Sequence, residues 1–341
     1  MNYSNSIKVS VLMAVYNEKL DYLKQAVSSI LSQDYDNIEF IIVNDGSDKA
    51  DINNLLDELS LNPKIIYKKN SENIGLTKSL NLGLRLCTGK YIARMDSDDI
   101  SDCKRLTKQI GFMENNPEVA VLGSDVYYIL EDETRIPPYV NYASKKKSYP
   151  IKILFNNVGP IHPTYVIRKE FISKNNITYR EELVKSQDYG LLVDCLDAGG
   201  QVYSLEEKLL GYRVHKNQIT IGQSKQQLEF KKRVIKERLI ALFDIDKITA
   251  EVLSTLYDDD YDYSPDTYIK SLIEIKEKNK MLNRYDVREF EIELRTRWIH
   301  KVNKCMIKKA RMDGFLKIFT YKCLFSFAFP LWIKNTIFHK I

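Results

Sequence analysis

The most concentrated chemistry in the sequence lies at Arg94-Met95-Asp96-Ser97-Asp98-Asp99, where three carboxylates fall within four positions. They follow Gly89-Lys90-Tyr91-Ile92-Ala93, a turn leading into an apolar run with the pattern of a buried strand. A turn at Ser97 brings Asp96 and Asp98 toward one point. Acids so crowded repel each other unless a cation joins them. Hard oxygen ligands suit Mg²⁺ or Mn²⁺, which bridge protein carboxylates and substrate phosphate. The competing reading is a solvated acidic turn, with Asp99 capping the next helix. Other candidates stand alone in short polar segments. Asp45 lies in Val43-Asn44-Asp45-Gly46-Ser47, and an Asx turn is its simplest alternative role. Asp188 follows Ser186-Gln187 at the head of an apolar helix, where N-capping competes with chemistry. His162, in Gly159-Pro160-Ile161-His162-Pro163-Thr164, either lines a pocket or fixes a turn. His215, in Tyr212-Arg213-Val214-His215, is a metal ligand, a group that holds a diphosphate, or a structural hydrogen-bonding group.

These residues need a frame, and hydrophobic periodicity supplies one. Lys8–Val15 and Ile38–Val43 are near-continuous apolar runs, as in parallel strands covered on both faces. Between and after them, Leu20, Leu23, Ala26, Val27, Ile30 and Leu31, and then Ile52, Leu55, Leu56 and Leu59, recur at helical spacing. A short strand at Lys64–Lys68 and a helix marked by Leu76, Leu80, Leu84 and Cys87 lead to the strand before the acidic cluster. Strand-helix alternation of this kind predicts a parallel sheet with right-handed crossovers. The strand-ending loops then share one edge, where open α/β sheets bind ligands. Beyond the cluster the pattern predicts a helix over Leu106, Ile110 and Met113 and strand pieces at Val119–Leu122 and Val126–Leu130. A polar loop over Glu131–Ser148, a short helix at Ile151–Phe155, a strand at Tyr165–Arg168, the Asp188 helix and a strand at Gln201–Leu210 follow. From about Ser224 the texture becomes long Lys/Glu-rich helical patterns through Ile240, Ser271–Lys280 and Tyr285–Met312.

Composition narrows the class. The 341 residues carry a formal net charge of +5 and are 44% hydrophobic and 28% charged, an ordinary globular balance. No block of like charge dominates the first two-thirds, which argues against a nucleic-acid binder. The five cysteines are scattered without Cys-x-x-Cys spacing, so neither a zinc site nor a disulfide framework is expected. A polar start without an apolar core predicts no signal peptide. There is no Gly-x-Gly-x-x-Gly after the first strand and no P-loop, which argues against dinucleotide oxidoreductases and P-loop phosphotransferases. Phe315–Ile341 is rich in Phe, Leu, Ile and Trp and is preceded by Lys301, Lys304, Lys308, Lys309 and Arg311. Basic charge beside aromatic residues is the pattern of a segment lying in a headgroup layer; packing on the rest of the chain, or dimerisation, is the alternative.

The order of motifs resembles the inverting, family 2 bacterial glycosyltransferases with the GT-A fold. Val11-Leu12-Met13-Ala14-Val15-Tyr16-Asn17-Glu18, Val43–Ser47, Asn73-Ile74-Gly75-Leu76, Gly89–Asp99, His162-Pro163-Thr164, Gln187-Asp188-Tyr189 and Tyr212–His215 match in order and spacing, over roughly residues 7 to 220. The subset with His-Pro-Thr and Tyr-Arg-x-His looks like enzymes of capsule, O-antigen or lipooligosaccharide assembly. The resemblance implies a catalytic domain over 1–220, with a nucleotide half near 7–100 and an acceptor half over 101–220. A helical region with a membrane-associating tail then fills 221–341. It implies a UDP-sugar donor held by Val15, Tyr16, Glu18, Asp45, Lys78, Arg94, Asp96 and Ser97, with Asp45 accepting the uracil N–H and Tyr16 stacking on the base. For Tyr16, Lys78 and Arg94 an ordinary structural or solvated role is the alternative. Asp98 and His215 would hold Mn²⁺ or Mg²⁺, Asp188 would be the general base, and His162 and Gln187 would face the acceptor, a lipid-linked or free oligosaccharide. Many relatives carry Glu-Asp where this chain has Gln187-Asp188, so the first acid is absent and the second kept. The implied location is the cytoplasmic face of the cell membrane, peripherally attached. Two rivals are a sugar-nucleotide nucleotidyltransferase, which needs a Gly-rich basic loop after the first strand, and a non-catalytic envelope-assembly protein.

Overall fold

The computed structural model describes residues 7–137, 149–214, 225–257 and 263–309, with the backbone alone for 303–309. His215, the Phe315–Ile341 tail and residues 138–148 lie outside the described residues. The described residues divide into two compact units, one drawn from Met1–Lys145 and Val158–Gln227, the other from Lys146–Asn157 and Leu228–Ile341.

The first unit is built on one mixed sheet. Its strands are β1 (Val9–Val15), β2 (Ile38–Asn44), β3 (Ile65–Lys69), β4 (Tyr91–Met95), β5 (Ile100–Ser101), β6 (Val119–Ile129), β7 (Arg135–Ile136), β8 (Val166–Arg168) and β9 (Gln201–Arg213). They lie in the order β3-β2-β1-β4-β8-β6-β9-β5, with β7 beside β6. The first four are parallel, as the alternating pattern predicts. The crossovers are α1 (Leu20–Leu31), α2 (Ala50–Leu59) and α3 (Leu76–Leu86). The chain leaves β1 toward β2 on one side, while β4 pairs on the other. Strand order therefore reverses between β1 and β4, the point where a crevice opens beyond the strand ends. Beyond β4 the sheet, mostly parallel as expected, becomes mixed: β8 runs antiparallel to both β4 and β6. The two strand pieces expected near residue 119 and residue 126 form one strand, β6, whose register against β9 shifts around Ser124–Val126. Those shifts let one strand bend where periodicity alone suggests a break.

Val9, Val11, Met13, Phe40, Ile42, Tyr91 and Ala93 give a core with essentially no exposure, closed from one side by Leu23, Val27 and Ile30 of α1. Strands this apolar have no solvent face, which explains their continuous rather than alternating pattern. α4 (Arg105–Asn115) adds Leu106, Ile110 and Met113 to the same core. α6 (Lys169–Lys174) and α7 (Gln187–Asp197) complete this unit; a 3₁₀ turn at His162–Thr164 precedes β8.

The second unit comprises α5 (Tyr149–Lys152), most of α8 (Lys225–Phe243), α9 (Lys247–Ser254), α10 (Pro265–Leu282) and α11 (Val287–Lys309). α9 has no strong periodic signature but a strong start: the Asp246 carboxylate accepts from the amides of Ile248 (2.7 Å) and Thr249 (2.9 Å). α10 begins six residues before the expected Ser271. Ser264-Pro265, which reads as a break, is a serine N-cap followed by proline in the first turn, where its missing amide costs nothing. Phe155 packs with this unit, its ring 6.4 Å from Phe290, and Phe243, Tyr285 and Trp298 fill the interior.

Candidate functional site

The loops after β1, β2 and β3 meet at the parallel edge beside the acidic turn that follows β4, and small polar side chains tie them together. Asn17 takes a left-handed conformation (φ 49°). Its amide donates to Ser47 Oγ (3.1 Å) and its Oδ1 accepts from the Asp48 amide (3.1 Å), so the first and second loops are tied together. Asn44, last in β2, accepts the Ser47 amide and donates to Asn53 Oδ1, which turns the chain into α2. Asp45 does not make a local Asx turn. Its buried carboxylate reaches across to the third loop, accepting from Asn70 Nδ2 (3.0 Å) and from the amides of Ile74 and Gly75 (both 2.9 Å). A carboxylate has about four acceptor positions, so one remains. Gly46 (φ 70°) permits this closeness: a Cβ there would stand 2.4 Å from the Glu72 carbonyl carbon.

Around this edge, Val15 is fully buried at the end of β1, whereas Tyr16 is 48% exposed and free to stack on a planar ligand. Glu18 is half-buried and accepts its neighbour's amide (2.8 Å). Lys78 is exposed on α3 and makes no ion pair among the described residues.

The acidic turn is held from beneath and behind. Arg94, on β4, is 2% exposed and pairs through Nη2 with Asp96. Its Nε and Nη1 are buried without a hydrogen-bond partner. Arg105, the first residue of α4, is fully buried and donates from Nη2 to the Arg94 carbonyl (2.8 Å). Burial, with the Arg94 charge beside it, pushes its guanidinium down to about 9. Asp99 does not cap the following helix, which starts at Arg105 without any side-chain cap. Instead it accepts the Arg213 amide (2.9 Å), linking the turn to β9. Arg213 is the second hidden support. Fully buried, it donates from Nε to the Asp98 carbonyl (2.9 Å) and from Nη2 to Gln25 (2.8 Å), pairs with Glu133, and lies 3.9 Å from the Tyr22 ring.

Asp96, Asp98 and Asp99 each offer an oxygen within 4.8 Å of the others. Burial raises the Asp99 carboxyl well above its ordinary value, with Asp98 and Asp96 adding repulsion. Burial raises Asp96 too; Arg94 opposes the shift, while Asp98 and Asp188 reinforce it. Asp99 Oδ2 is buried without a partner. An all-carboxylate oxygen set with excess negative charge fits a hard divalent cation. Ser97 is buried within the turn.

Asp188 joins this group electrostatically: it acts on both Asp96 and Tyr179. It is not the N-cap of α7, which is Ser186, but lies in the first turn, half-buried. Gln187 beside it is 8% exposed, its Oε1 without a hydrogen-bond partner. His162 Nε2 lies 2.8 Å from the Tyr179 hydroxyl. Burial and the Arg94 charge hold His162 well below the ordinary imidazole range, so it is neutral near pH 7. The sequence-predicted groups from β4, the 3₁₀ turn and α7 thus share one neighbourhood.

Arg105, Arg213 and Tyr179 were missing from the sequence-level site. Arg105 and Gln109 are polar residues on the apolar face of α4, an irregularity that marks a buried hydrogen-bonding role. Arg213 stands inside the Tyr-Arg-x-His segment beside the histidine that draws the eye.

Known proteins match this architecture. Residues 10–175 match Glycosyl transferase family 2. An uncharacterized glycosyltransferase of Methanocaldococcus jannaschii is 34% identical over 220 residues, covering 64% of this chain and 75% of that protein. The Escherichia coli UDP-Glc:alpha-D-GlcNAc-diphosphoundecaprenol beta-1,3-glucosyltransferase WfaP is 30% identical over 225 residues, 64% of this chain and 82% of that one. The Erwinia amylovora amylovoran biosynthesis glycosyltransferase AmsE is 30% identical over 208 residues, 60% and 75% of the two chains. The crystal structure of S. aureus TarS 1-349 in complex with UDP-GlcNAc superposes with a TM-score of 0.60 at 14% identity, covering 89% of this chain and 93% of that one. At that identity the likeness speaks for the fold, and the GT-A fold expected from the motifs is the fold observed. With residues 10–175 matching the family and glycosyltransferase relatives 30–34% identical over 75–82% of their own length, this chain belongs to glycosyl transferase family 2.

Proposed function

We propose that this chain is an inverting glycosyltransferase that moves a hexose or N-acetylhexosamine from a UDP-sugar to a hydroxyl of a lipid-linked oligosaccharide in bacterial surface polysaccharide synthesis. The observation that carries the reading is the joint neighbourhood of Asp188 and the Asp96–Asp99 turn at the sheet's switch point. A base near the acceptor and a cluster of acids suited to a diphosphate-bound cation are the two requirements of direct displacement. WfaP, a UDP-Glc enzyme acting on a diphosphoundecaprenol acceptor by its name, and AmsE, an amylovoran biosynthesis enzyme, support the donor and acceptor classes. The TarS complex with UDP-GlcNAc supports a uridine nucleotide on this fold.

In this reading Tyr16 stacks on the uracil and the remaining acceptor position of Asp45 takes its N–H. Val15 and Glu18 border the nucleoside, Lys78 adds positive charge near the diphosphate, and Asp96 and Ser97 border the ribose and sugar. Asp98, with Asp96 or Asp99 and with His215, would hold Mn²⁺ or Mg²⁺. A bound divalent cation supplies positive charge against the leaving diphosphate. Arg94 pairs with Asp96, which favours its ionised form and aims it. Asp188 accepts the proton of the acceptor hydroxyl as that oxygen bonds to the anomeric carbon. The bond from that carbon to the diphosphate oxygen breaks, and its electron pair leaves with UDP. One displacement with one base inverts the anomeric centre. Gln187, an amide where many relatives carry an acid, and His162 face the acceptor. The Phe315–Ile341 segment, by its composition, attaches the enzyme peripherally to the cytoplasmic face of the membrane; deleting 315–341 then moves the protein from the membrane fraction to the soluble one.

The test is a screen of UDP-sugars with Mn²⁺ and lipid-linked acceptors, read by UDP release, on the unaltered chain and on Asp188→Asn. The substitution lowers turnover by about 10²–10⁴-fold, the usual contribution of a general base, while UDP binding measured by calorimetry is retained. Near-normal turnover in Asp188→Asn removes it from that role.

A further inference from the structure

Between α6 and α7 the chain passes through Tyr179-Arg180, a dipeptide that touches three separate elements. The Tyr179 amide donates to Asn81 Oδ1 (2.9 Å), and Asn81 Nδ2 donates back to the Tyr179 carbonyl (2.8 Å). Asn81 is buried on α3, so its amide side chain binds this segment as a neighbouring strand would. The Tyr179 side chain is 1% exposed. Its hydroxyl meets His162 Nε2 at 2.8 Å, and its ring packs edge-on to the imidazole at 5.4 Å. Arg180 then pairs with Asp194 of α7 (Nε to Oδ2 2.9 Å). Two adjacent residues therefore fasten the nucleotide-side helix α3, the 3₁₀ turn and the helix that bears Asp188. Arg94, Asp188 and Asp96 all lie close enough to act on the Tyr179 hydroxyl electrostatically.

We propose that Tyr179 is a positioning residue: its hydroxyl bond to His162, with the Asn81 and Arg180 fastenings, sets the separation between the Asp96–Asp98 turn and Asp188. We take the Tyr179 O–H as the donor and the neutral imidazole as the acceptor. The imidazole accepts at Nε2 and carries its proton on Nδ1. Loss of the hydroxyl frees both the ring orientation and the tautomer of His162, and the strap then rests on the Asn81 and Arg180 fastenings alone. The carboxylates themselves remain, so donor binding survives; what degrades is the alignment of acceptor hydroxyl, anomeric carbon and Asp188. This inference rests on the glycosyltransferase reading.

The experiment uses the full chain and Tyr179→Phe, with Tyr179→Leu as a second variant and melting curves to compare folding. Three quantities are measured: kcat and donor KM by UDP release, UDP affinity by calorimetry, and the His162 side-chain signals by ¹⁵N NMR. With four histidines in the sequence, each signal is assignable by substitution. Tyr179→Phe lowers kcat by about tenfold, less than the roughly 10²-fold that a 1 Å misplacement can cost. Donor KM and UDP affinity stay unchanged, and the His162 ¹⁵N pattern moves from a single Nδ1–H tautomer toward a mixture. Unchanged kcat with an unchanged His162 pattern overturns the proposal. So does a rise in KM alone, which makes Tyr179 a donor contact. Absence of transfer by the unaltered chain with every donor defeats the functional reading itself, and the positioning role with it. An active unaltered chain with an equally active Tyr179→Phe defeats the positioning role only.

Discussion

At the residue scale the acidic turn has a division of labour that its spacing conceals. Asp96 is committed to Arg94 and Asp99 to the backbone of β9. The Asp98 backbone carbonyl accepts Arg213 Nε. In the proposed reading Asp98 is the cation ligand, as its place in the acidic motif suggests. A cation and nucleotide that bind only the folded state raise stability by RT ln(1 + [L]/Kd), about 2.7 kcal/mol at a hundredfold excess over Kd. The unaltered chain should melt several degrees higher with Mn²⁺ and UDP than without. Asp98→Ala should lose most of that rise. Differential scanning calorimetry with and without Mn²⁺ and UDP reads both. A rise equal to that of the unaltered chain would take Asp98 out of metal binding. The triad was legible in the sequence because three acids in four positions demand a cause. Its supports were not, because Arg105 and Arg213 come from residues 6 and 114 positions after Asp99, and only the folded chain brings them to it.

At the element scale, the site is three loops on one sheet edge cross-tied by small polar side chains. Asp45 and Gly46 carry the largest share, since the carboxylate holds the third loop and the glycine lets that loop come close. Gly46→Ala must place a Cβ against backbone atoms of Glu72 and Asn73 in a left-handed conformation. Neither neighbour is the end of a flexible side chain, so the loop itself shifts. The cost is about 1–3 kcal/mol. A lowered melting temperature should come with weaker UDP binding, because the displaced loop takes the Asp45 carboxylate with it. Calorimetric UDP affinity equal to the unaltered chain would separate this loop from the nucleotide. Element positions in this half were readable because buried parallel strands and amphipathic helices have different periods, and β1 through β4 fall within two residues of the expected bounds. Past β4 the reading weakened for physical reasons. The bulged register shifts in β6 look like a break in sequence, and an antiparallel partner leaves no period of its own.

At the scale of the whole molecule, the sheet has a chemical end and a structural end, and buried charge serves a different purpose at each. At the site edge, carboxylates are pushed upward by burial and mutual repulsion, a charge imbalance suited to a ligand. At the opposite edge Glu39, on β2, is fully paired. It accepts from Ser10 Oγ (2.5 Å), the Thr88 amide (2.6 Å), Thr88 Oγ1 (2.8 Å) and Lys8 Nζ (2.5 Å), which joins β1, β2 and the entry to β4. Burial works against the ionised form, but Lys8, Ser10 and Thr88 together outweigh it and bring the carboxyl from 4.5 down to about 2. The unfolded chain binds this proton at ordinary carboxylate pH and the folded chain does not. The stabilisation is thus complete above about pH 5 and is lost as pH falls from about 4.5 through about 2, amounting to roughly 3 kcal/mol. Glu39→Gln keeps the size but loses the charge and presents donors to the Thr88 amide and Lys8. Its melting temperature should drop at pH 7, and the gap to the unaltered chain should narrow steadily between pH 5 and pH 3. A gap that stays constant with pH would mean that packing, rather than the ionised carboxylate, holds the three strands at that end. Because Glu39 lies at the edge away from the acidic turn, the same variant should keep its UDP affinity near neutral pH. Gly46→Ala should lose it, and this contrast measures how far the two ends of one sheet are energetically independent.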